Sequence, residues 1–178
     1  MKAHTLIGMA VVAALGSAAV ADVDLSFENF VAGGAQFALQ DENPLVGNID
    51  SFTGSFMLDL DGEGFTWADD LTVLIASIDL TEILVQMGGY SDFGASYKFN
   101  WTEGASGTAG TQAGGSIDTG VLGGINATGY YVWLGNGYGG GGDGTWTGNI
   151  SINGTVVPAP GALALLGIAG LAGRRRRA

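Results

Sequence analysis

Four carboxylates in residues 59–70 are spaced closely enough to bind a divalent cation. The segment reads Asp-Leu-Asp-Gly-Glu-Gly-Phe-Thr-Trp-Ala-Asp-Asp, with acidic side chains at positions 1, 3, 5 and 12 and glycine at position 6. Calcium takes about six to eight oxygen ligands from a loop flexible enough to wrap around it. The spacing therefore indicates a candidate calcium site with Asp59, Asp61, Glu63 and Asp70 as ligands.

The same spacing approximates the calcium loop of an EF-hand, with two departures. Glu63 stands at position 5 in place of Asp or Asn, and Asp70 stands at position 12 in place of the longer Glu. Strand-like sequence flanks the segment, whereas an EF-hand loop lies between two helices. We therefore favour an acidic hairpin turn with glycines at positive φ, and keep the calcium site as the alternative.

The residues that most enzymes use for catalysis are scarce in this chain. Histidine occurs once, at His4, cysteine does not occur, and every arginine lies at positions 174–177. This excludes Ser-His-Asp and Cys-His machinery, His-ligated zinc and an arginine clamp on phosphate in the central part of the chain. A carboxylate pair, as in glycoside hydrolysis, or Lys98 as a solitary amine would remain. Because 17 carboxylates make some close pair almost inevitable, the presence of such a pair would say little about catalysis, and we expect no enzymatic activity.

The negative charge is concentrated between Asp22 and Asp143. All 17 acidic residues lie there, and Lys98 is the one Lys or Arg among residues 22–157, which gives that part a formal charge of −16. Such a surface repels nucleic acid phosphates and anionic lipid headgroups, so we expect no nucleic acid partner. It also favours divalent cations, but solvation and colloidal repulsion of a secreted protein are the favoured explanation of the charge.

The N-terminus has the three parts of a secretory signal peptide. Lys2 supplies the positive charge, residues 6–15 supply a short apolar region, and Ala19-Val20-Ala21 supplies small residues at a cleavage site. We expect an N-terminal signal helix in residues 1–21, cleaved between Ala21 and Asp22.

The C-terminus has three further parts in a fixed order. Pro158-Ala159-Pro160 precedes an uncharged run of small and aliphatic residues at 161–173. The run is followed by a cluster of four arginines, Arg174, Arg175, Arg176 and Arg177. As a helix the run would reach about 20 Å, short of the ~30 Å hydrocarbon core. The arginines mark a cytoplasmic end under the positive-inside rule. The segment is therefore typical of a transient stop in the membrane, with an ordinary single-pass anchor as the alternative.

This tail, residues 158–178, resembles the PEP-CTERM sorting signal of Gram-negative bacteria. Ala159 stands where the family usually has Glu. The resemblance implies a sorting transpeptidase of the exosortase type as a partner and transient contact with the inner membrane. It also implies an exported protein of the cell surface or extracellular matrix.

Residues 22–157 are predicted to form one all-β domain, an antiparallel β-sandwich. Glycine, Thr, Ser and Asn are frequent, and several short segments alternate polar with apolar residues. In the first segment the alternation places Val23, Leu25 and Phe27 on one face. In the second it places Phe52, Phe56, Leu58 and Leu60 in phase. The predicted strands are 22–30, 49–60, two within 71–87, 97–101, 129–134 and 145–157, separated by Gly-rich stretches at 104–120 and 135–144.

Residues 71–87 and 144–148 each carry a further structural signal. Residues 71–78 also match a helical spacing, but β-branched Val73, Ile75 and Ile78 favour a strand, and a short helix near 79–84 stays an alternative. The sequence Gly-Thr-Trp-Thr-Gly at 144–148 resembles the closing strand of galactose-binding-like jelly-roll domains. That resemblance implies a jelly-roll-like sandwich.

Aromatic side chains cluster in the sequence around the glycine run 135–144. They could stack on sugar rings, but core packing is favoured for at least half of them. They are Tyr130, Tyr131, Trp133, Tyr138 and Trp146. We expect a structural or adhesive role in an exopolysaccharide matrix, with no cofactor except possible calcium. The alternatives are a calcium-assisted carbohydrate-binding module and, third, a carboxylate-only glycoside hydrolase.

Overall fold

The computed structural model describes residues 22–61, 65–139, 142–155 and 157–158, and no side chain at 61, 157 or 158. The predicted signal helix and the hydrophobic C-terminal helix lie outside these residues. So do the cleavage-site residues Ala19 and Ala21, and the tail residues Ala159, Pro160, Arg174, Arg175, Arg176 and Arg177. Within the described part, no helix has the length and apolar character needed to cross a membrane.

The described residues are all-β, which confirms the predicted class. A single turn of 3-10 helix, Ala68–Asp70, is the one helical element among them. The twelve strands are β1 (Val23–Ala32), β2 (Phe37–Leu39), β3 (Leu45–Val46), β4 (Asn48–Asp61), β5 (Leu71–Ala76), β6 (Ile83–Met87), β7 (Tyr97–Phe99), β8 (Gln112–Asp118), β9 (Ile125–Asn126), β10 (Tyr131–Asn136), β11 (Gly144–Gly154) and β12 (Val157–Pro158).

The strands form two five-stranded sheets and one small pair. The first sheet has the order β1-β11-β4-β8, with β9 also paired to β4, and the second has the order β2-β10-β5-β6-β7. Strand β12 pairs with β3. These pairings are antiparallel, except that β6 and β7 run parallel.

Eight of the strands pair in a nested pattern. The first, β1, pairs with the last long strand, β11, and inside that pair β2 pairs with β10, β4 with β8 and β5 with β6. The chain is thus arranged as one long hairpin. The pairings of β11 with β4 and of β10 with β5 join its parts into the two sheets.

The alternation predicted for β1 is confirmed. Val23 is buried and Leu25 and Phe27 are half-buried, while Asp24 and Ser26 are exposed. The phase shifts after Phe27, where a bulge interrupts the register with β11. Such a bulge sets two residues of one strand against one of its partner and turns the following side chains to the other face.

The prediction for β4 is right for three residues and wrong for Leu60. Phe52, Phe56 and Leu58 are at most 1% exposed, whereas Leu60 is 63% exposed. The register explains the difference, because Leu58 pairs with Trp146 and Leu60 pairs with Thr145, so that Asp59 is an extra residue. One inserted residue reverses the inward and outward faces of everything beyond it.

Residues 71–87 form strands β5 and β6, as the sequence favours, and not a helix. Every residue of β5 is buried, so both faces of this strand are covered. The helix considered near 79–84 does not occur. Its place is taken by a turn in which Asp79 Oδ1 accepts hydrogen bonds from Ser77 Oγ, Thr81 N and Thr81 Oγ1, and short Asp side chains favour such turns over helices.

Both sheets contribute to one hydrophobic core. Phe52 and Phe56 of the first sheet belong to the same buried cluster as Val73 and Ile75 of the second. Trp146 is completely buried, and its indole N–H donates to the carbonyl oxygen of Ala68 at 3.1 Å. Burial of each such side chain stabilises the fold by about 1.5–3 kcal/mol. This core fixes the position of the 3-10 turn.

Candidate functional site

A cavity of about 710 Å³ opens where four segments of the chain meet. The segments are the connection from β4 to β5, the connection from β6 to β7, the end of β7 with the residues after it, and the loop after β10. Binding sites for small molecules usually measure about 300–1,000 Å³. The lining residues are Phe65, Trp67, Asp69, Asp70, Gly89, Tyr90, Lys98, Asn100, Trp101 and Tyr138.

Asp70 is fixed at one wall of the cavity by its own turn. Its Oδ2 accepts a hydrogen bond from the Trp67 backbone N–H at 2.8 Å. Its carbonyl oxygen accepts from Gly137 N at 2.7 Å and from Thr72 Oγ1 at 2.9 Å. The carboxylate therefore has a defined position before any ligand arrives.

The rest of the 3-10 turn is bonded to distant segments. The Ala68 N–H donates to Ser106 O, and the Ala68 carbonyl oxygen accepts from Trp146 Nε1. The Asp69 N–H donates to Gly104 O, and the Asp69 carbonyl oxygen accepts from Gly89 N. Because buried backbone groups are costly to leave unpaired, these bonds hold the turn rigidly. Asp69 and Asp70 are consequently presented on a preorganised support.

Burial acts on both carboxyl groups. It raises the pKa of Asp70 to about 6, with a smaller contribution from the charge of Asp69, against the backbone hydrogen bonds from Trp67 and Tyr90. It also raises the pKa of Asp69. Both groups have lost part of their contact with water. A ligand of opposite charge would offset the free-energy cost of that desolvation.

Aromatic rings form the inner wall and the rim. Trp101 is 6% exposed, donates its indole N–H to Leu71 O at 2.8 Å, and packs edge-to-face on Phe56 with the centroids 5.2 Å apart. At the rim, Trp67 is 50% exposed and Tyr90 is 80% exposed. The cavity thus has a fixed aromatic inner wall and accessible aromatic faces at its mouth.

A buried glutamine holds the segment that carries Tyr90. Gln86 Nε2 donates to the carbonyl oxygens of Gly88 and Ser91, and Gln86 Oε1 accepts from Phe93 N. Ser91 Oγ in turn accepts from Gly139 N at 2.8 Å. Tyr90 and the loop after β10 are therefore positioned by the same residues.

The predicted calcium ligands are only partly covered by the structure. Glu63 and the side chain of Asp61 lie outside the described residues. Asp59 is half-buried, and its Oδ2 is buried without a hydrogen-bond partner in the described part of the chain. Asp70 lies in the cavity. Within the ranges that the structure describes, no group of three or more His, Asp or Glu side chains could hold a metal ion. The calcium site stays a prediction.

Of the five aromatic residues predicted near the glycine run, Tyr138 reaches the cavity. Trp146 is in the core, and the Tyr130 hydroxyl donates to Glu82 Oε1 at 2.6 Å. Tyr131 and Trp133 are half-buried on β10, outside the cavity lining. For these four, packing in the fold is the better interpretation.

The sequence gives little signal for the residues it missed. Asp69 and Trp67 lie inside the acidic segment 59–70, but the calcium-loop spacing selects only positions 1, 3, 5 and 12 of that segment. Tyr90 follows the pair Gly88-Gly89, which signals a turn and says nothing of a site. The sequence marks Lys98 as a solitary amine but does not predict that it lines a cavity.

The cavity offers chemistry suited to binding. Ring faces, two carboxylates, the Asn100 amide and the Lys98 ammonium can stack on and hydrogen-bond to a sugar. Comparisons with protein-family models, curated proteins and solved structures give no match to this chain.

Proposed function

We propose that this chain is an exported protein of the cell surface or extracellular matrix of a Gram-negative bacterium, where it binds glycan and has a structural or adhesive role. The observation that carries the binding part is the cavity, in which Trp67 and Tyr90 expose their rings beside Asp69 and Asp70. Apolar ring faces match the C–H faces of sugars, and carboxylates accept hydrogen bonds from hydroxyl groups.

The finer architecture belongs to the same proposal. The domain is an antiparallel β-sandwich of the jelly-roll type, which consists of about eight strands in two sheets and occurs in lectin domains. The nested pairing of β1 with β11, β2 with β10, β4 with β8 and β5 with β6 supports this assignment. A common fold alone carries no function, so the glycan-binding proposal rests on the cavity.

The sorting half of the proposal rests on the two ends of the sequence. A signal peptide at 1–21 would direct export, and the tail at 158–178 would contact the inner membrane transiently and be processed by an exosortase-type transpeptidase. Pro158, the first residue of the predicted tail, pairs with Leu45 of β3.

Binding is favoured over hydrolysis for this cavity. A glycosidase needs two carboxyl groups facing each other across the sugar, about 5–9.5 Å apart. Asp69 and Asp70 are consecutive residues of one turn, and Asp70 already accepts the Trp67 N–H.

A calcium-assisted site is the second candidate, and one observation favours it. Asp59 Oδ2 is buried and has no hydrogen-bond partner among the described residues. A bound cation would satisfy a carboxylate oxygen in that position.

The test of glycan binding is a glycan array followed by titration of each hit. Tyr90→Ala removes a ring at the cavity mouth, and Tyr97→Ala is the matched control because Tyr97 is 38% exposed and lies outside the cavity lining. We expect Y90A to weaken binding about tenfold, the loss of one stacking contact, and Y97A to leave it unchanged. Equal effects of the two variants, or no hit on the array, would contradict the proposal.

A further inference from the structure

We propose that the cavity recognises glycans that carry a free, positively charged amino group, such as a de-N-acetylated amino-sugar polymer. This inference rests on the proposed glycan binding and adds the class of sugar. It follows from the side chains that surround the cavity and from the charge of the domain.

The first support is the pair of carboxylates in the wall. Asp69 is half-buried and Asp70 is 4% exposed, and they are neighbours on one rigid turn. Two neighbouring carboxylates that burial shields from part of the water repel each other and lose solvation, and an ammonium group beside them would offset both costs. A neutral hydroxyl would do this less well because it brings no charge.

The second support is the aromatic lining. Trp67, Tyr90, Trp101 and Tyr138 line the same space as the two carboxylates, and the rings of Tyr90 and Tyr138 lie 6.2 Å apart at 55°. Aromatic faces attract a cation that lies within about 6 Å of the ring centre. Rings and carboxylates together therefore favour an amine over an acetamide or a carboxylate.

The third support is the field of the whole domain. A formal charge of −16 on residues 22–157 raises the local concentration of cationic ligands and repels uronic acids and sulfated sugars. Among the residues that the structure describes, Lys98 is the one cation in the lining. It is exposed, and its Nζ donates to Ser91 O at 3.2 Å.

The test compares two probes of equal length, a β-1,4-linked glucosamine tetramer and its fully N-acetylated counterpart. Each is titrated into the protein by calorimetry at pH 7 and about 0.15 M salt, where charges beyond about 8 Å are screened. We expect the glucosamine tetramer to bind at least about tenfold more tightly. Such a preference corresponds to one charge-assisted contact.

Asp69→Asn and Glu28→Gln separate a specific contact from general attraction. Both substitutions remove one negative charge with little change of shape, but Glu28 is an exposed residue of β1 outside the cavity. We expect D69N to reduce the preference several-fold, because Asp70 and the rings remain, and E28Q to keep it. An equal loss in the two variants would attribute the preference to net charge and overturn the inference.

A second measurement uses the unchanged protein and does not depend on how any variant folds. Between pH 7 and pH 9 an amine near pKa 8 loses its charge, while the carboxylates stay ionised. Affinity for the glucosamine tetramer should fall several-fold over that range. Affinity for the N-acetylated tetramer should stay constant. A pH-independent preference would contradict a cationic contact.

The outcomes for the two proposals are distinct. Equal affinities for the two tetramers, or tighter binding of the N-acetylated one, would overturn the amino-sugar inference and leave glycan binding intact where Y90A still weakens it. Failure of both tetramers together with a neutral or acidic hit on the array would do the same. Absence of binding to every glycan would overturn both.

Discussion

The Trp67 backbone N–H donates to Asp70 Oδ2 at 2.8 Å, and the Asp70 N–H donates back to the Trp67 carbonyl oxygen at 3.1 Å. This reciprocal pair closes the turn that presents both cavity carboxylates. Asp70 within this turn is 4% exposed.

The first prediction concerns pH. Burial raises the pKa of Asp70 from 3.8 to about 6, so the folded state holds the proton more tightly than the unfolded state does. The stability that this group contributes is fully present below pH 3.8 and is lost as the pH rises through about 6. Asp70→Asn cannot titrate. Urea unfolding at intervals from pH 4 to pH 7 should show wild type losing stability relative to D70N, and parallel curves would contradict this.

The second prediction concerns the close approach of Gly89 to its neighbours. Gly89 and Gly94 have φ of 78° and 76°, but a Cβ at Gly89 would lie 2.3 Å from Thr72 Oγ1, whereas a Cβ at Gly94 meets nothing within 4 Å. G94A should cost about 1–2 kcal/mol of unfolding free energy from backbone strain alone.

Gly89→Ala should cost about 1–3 kcal/mol more than the Gly94 control, because the added methyl group overpacks the site. It should also weaken glycan binding, since Gly89 lines the cavity. Chemical denaturation measures the first effect and titration the second. Equal stability of the two variants would show that the contact at Thr72 relaxes freely.

The third prediction concerns Asn136, which is completely buried at the end of β10. Its Nδ2 donates to Gly142 O at 3.0 Å and to Thr66 Oγ1 at 3.3 Å, while its Oδ1 accepts from Tyr138 N at 2.9 Å. Asn136→Asp replaces the donating Nδ2 by a carboxylate oxygen, which would then face the carbonyl oxygen of Gly142. We expect a loss of about 2–4 kcal/mol at pH 7, smaller at pH 4 where the acid can be protonated. A variant as stable as wild type at pH 7 would contradict the role given to these bonds.

The fourth prediction concerns calcium. If Asp59, Asp61, Glu63 and Asp70 bind the ion, millimolar calcium should raise the unfolding temperature, because a ligand of the folded state stabilises it. Sodium chloride at matched ionic strength is the control for screening. Replacing Asp59 and Asp61 by Asn should abolish the calcium-specific part of the shift. An identical shift in wild type and the double variant would show that residues 59–70 form an ordinary acidic turn without a calcium site.

The fifth prediction concerns processing. Protein recovered from the surface of its native host should begin at Asp22 and lack Arg174, Arg175, Arg176 and Arg177, because both ends resemble segments that are cleaved. Intact-mass analysis measures this directly. Surface-located protein that retains the arginines would contradict the sorting proposal.

The sequence predicts strands well where burial is one-sided. Val23, Leu25 and Phe27 alternate with polar residues because one face of β1 packs on the core. Strand β8 lies within residues 104–120, for which the sequence predicts a Gly-rich connection between strands, so this prediction is wrong for Gln112–Asp118. Its Gly114 packs so tightly on β4 that a Cβ there would lie 2.2 Å from the Gly54 carbonyl oxygen. Because glycines allow this close backbone approach and have no side chain, the strand lacks the alternating hydrophobic pattern that would predict it.

The cavity could not be predicted from spacing, for a related reason. Trp67, Tyr90, Lys98 and Tyr138 meet only because four connections converge, and no local rule relates their positions. Leu60 shows the same limit on a smaller scale. Its exposure depends on the extra residue at Asp59, which becomes visible only in the register with β11.

The nested strand order also governs how fast the domain can fold. Val23 of β1 pairs with Ile152 of β11, so the first sheet needs residues from both ends of the described chain. Closing so long a loop costs entropy before any contact repays it, and sheets of this kind fold in about milliseconds to seconds. A chain that enters a compartment N-terminus first cannot complete this sheet until β11 has followed, and its β1 and β4 edges stay open to other chains until then.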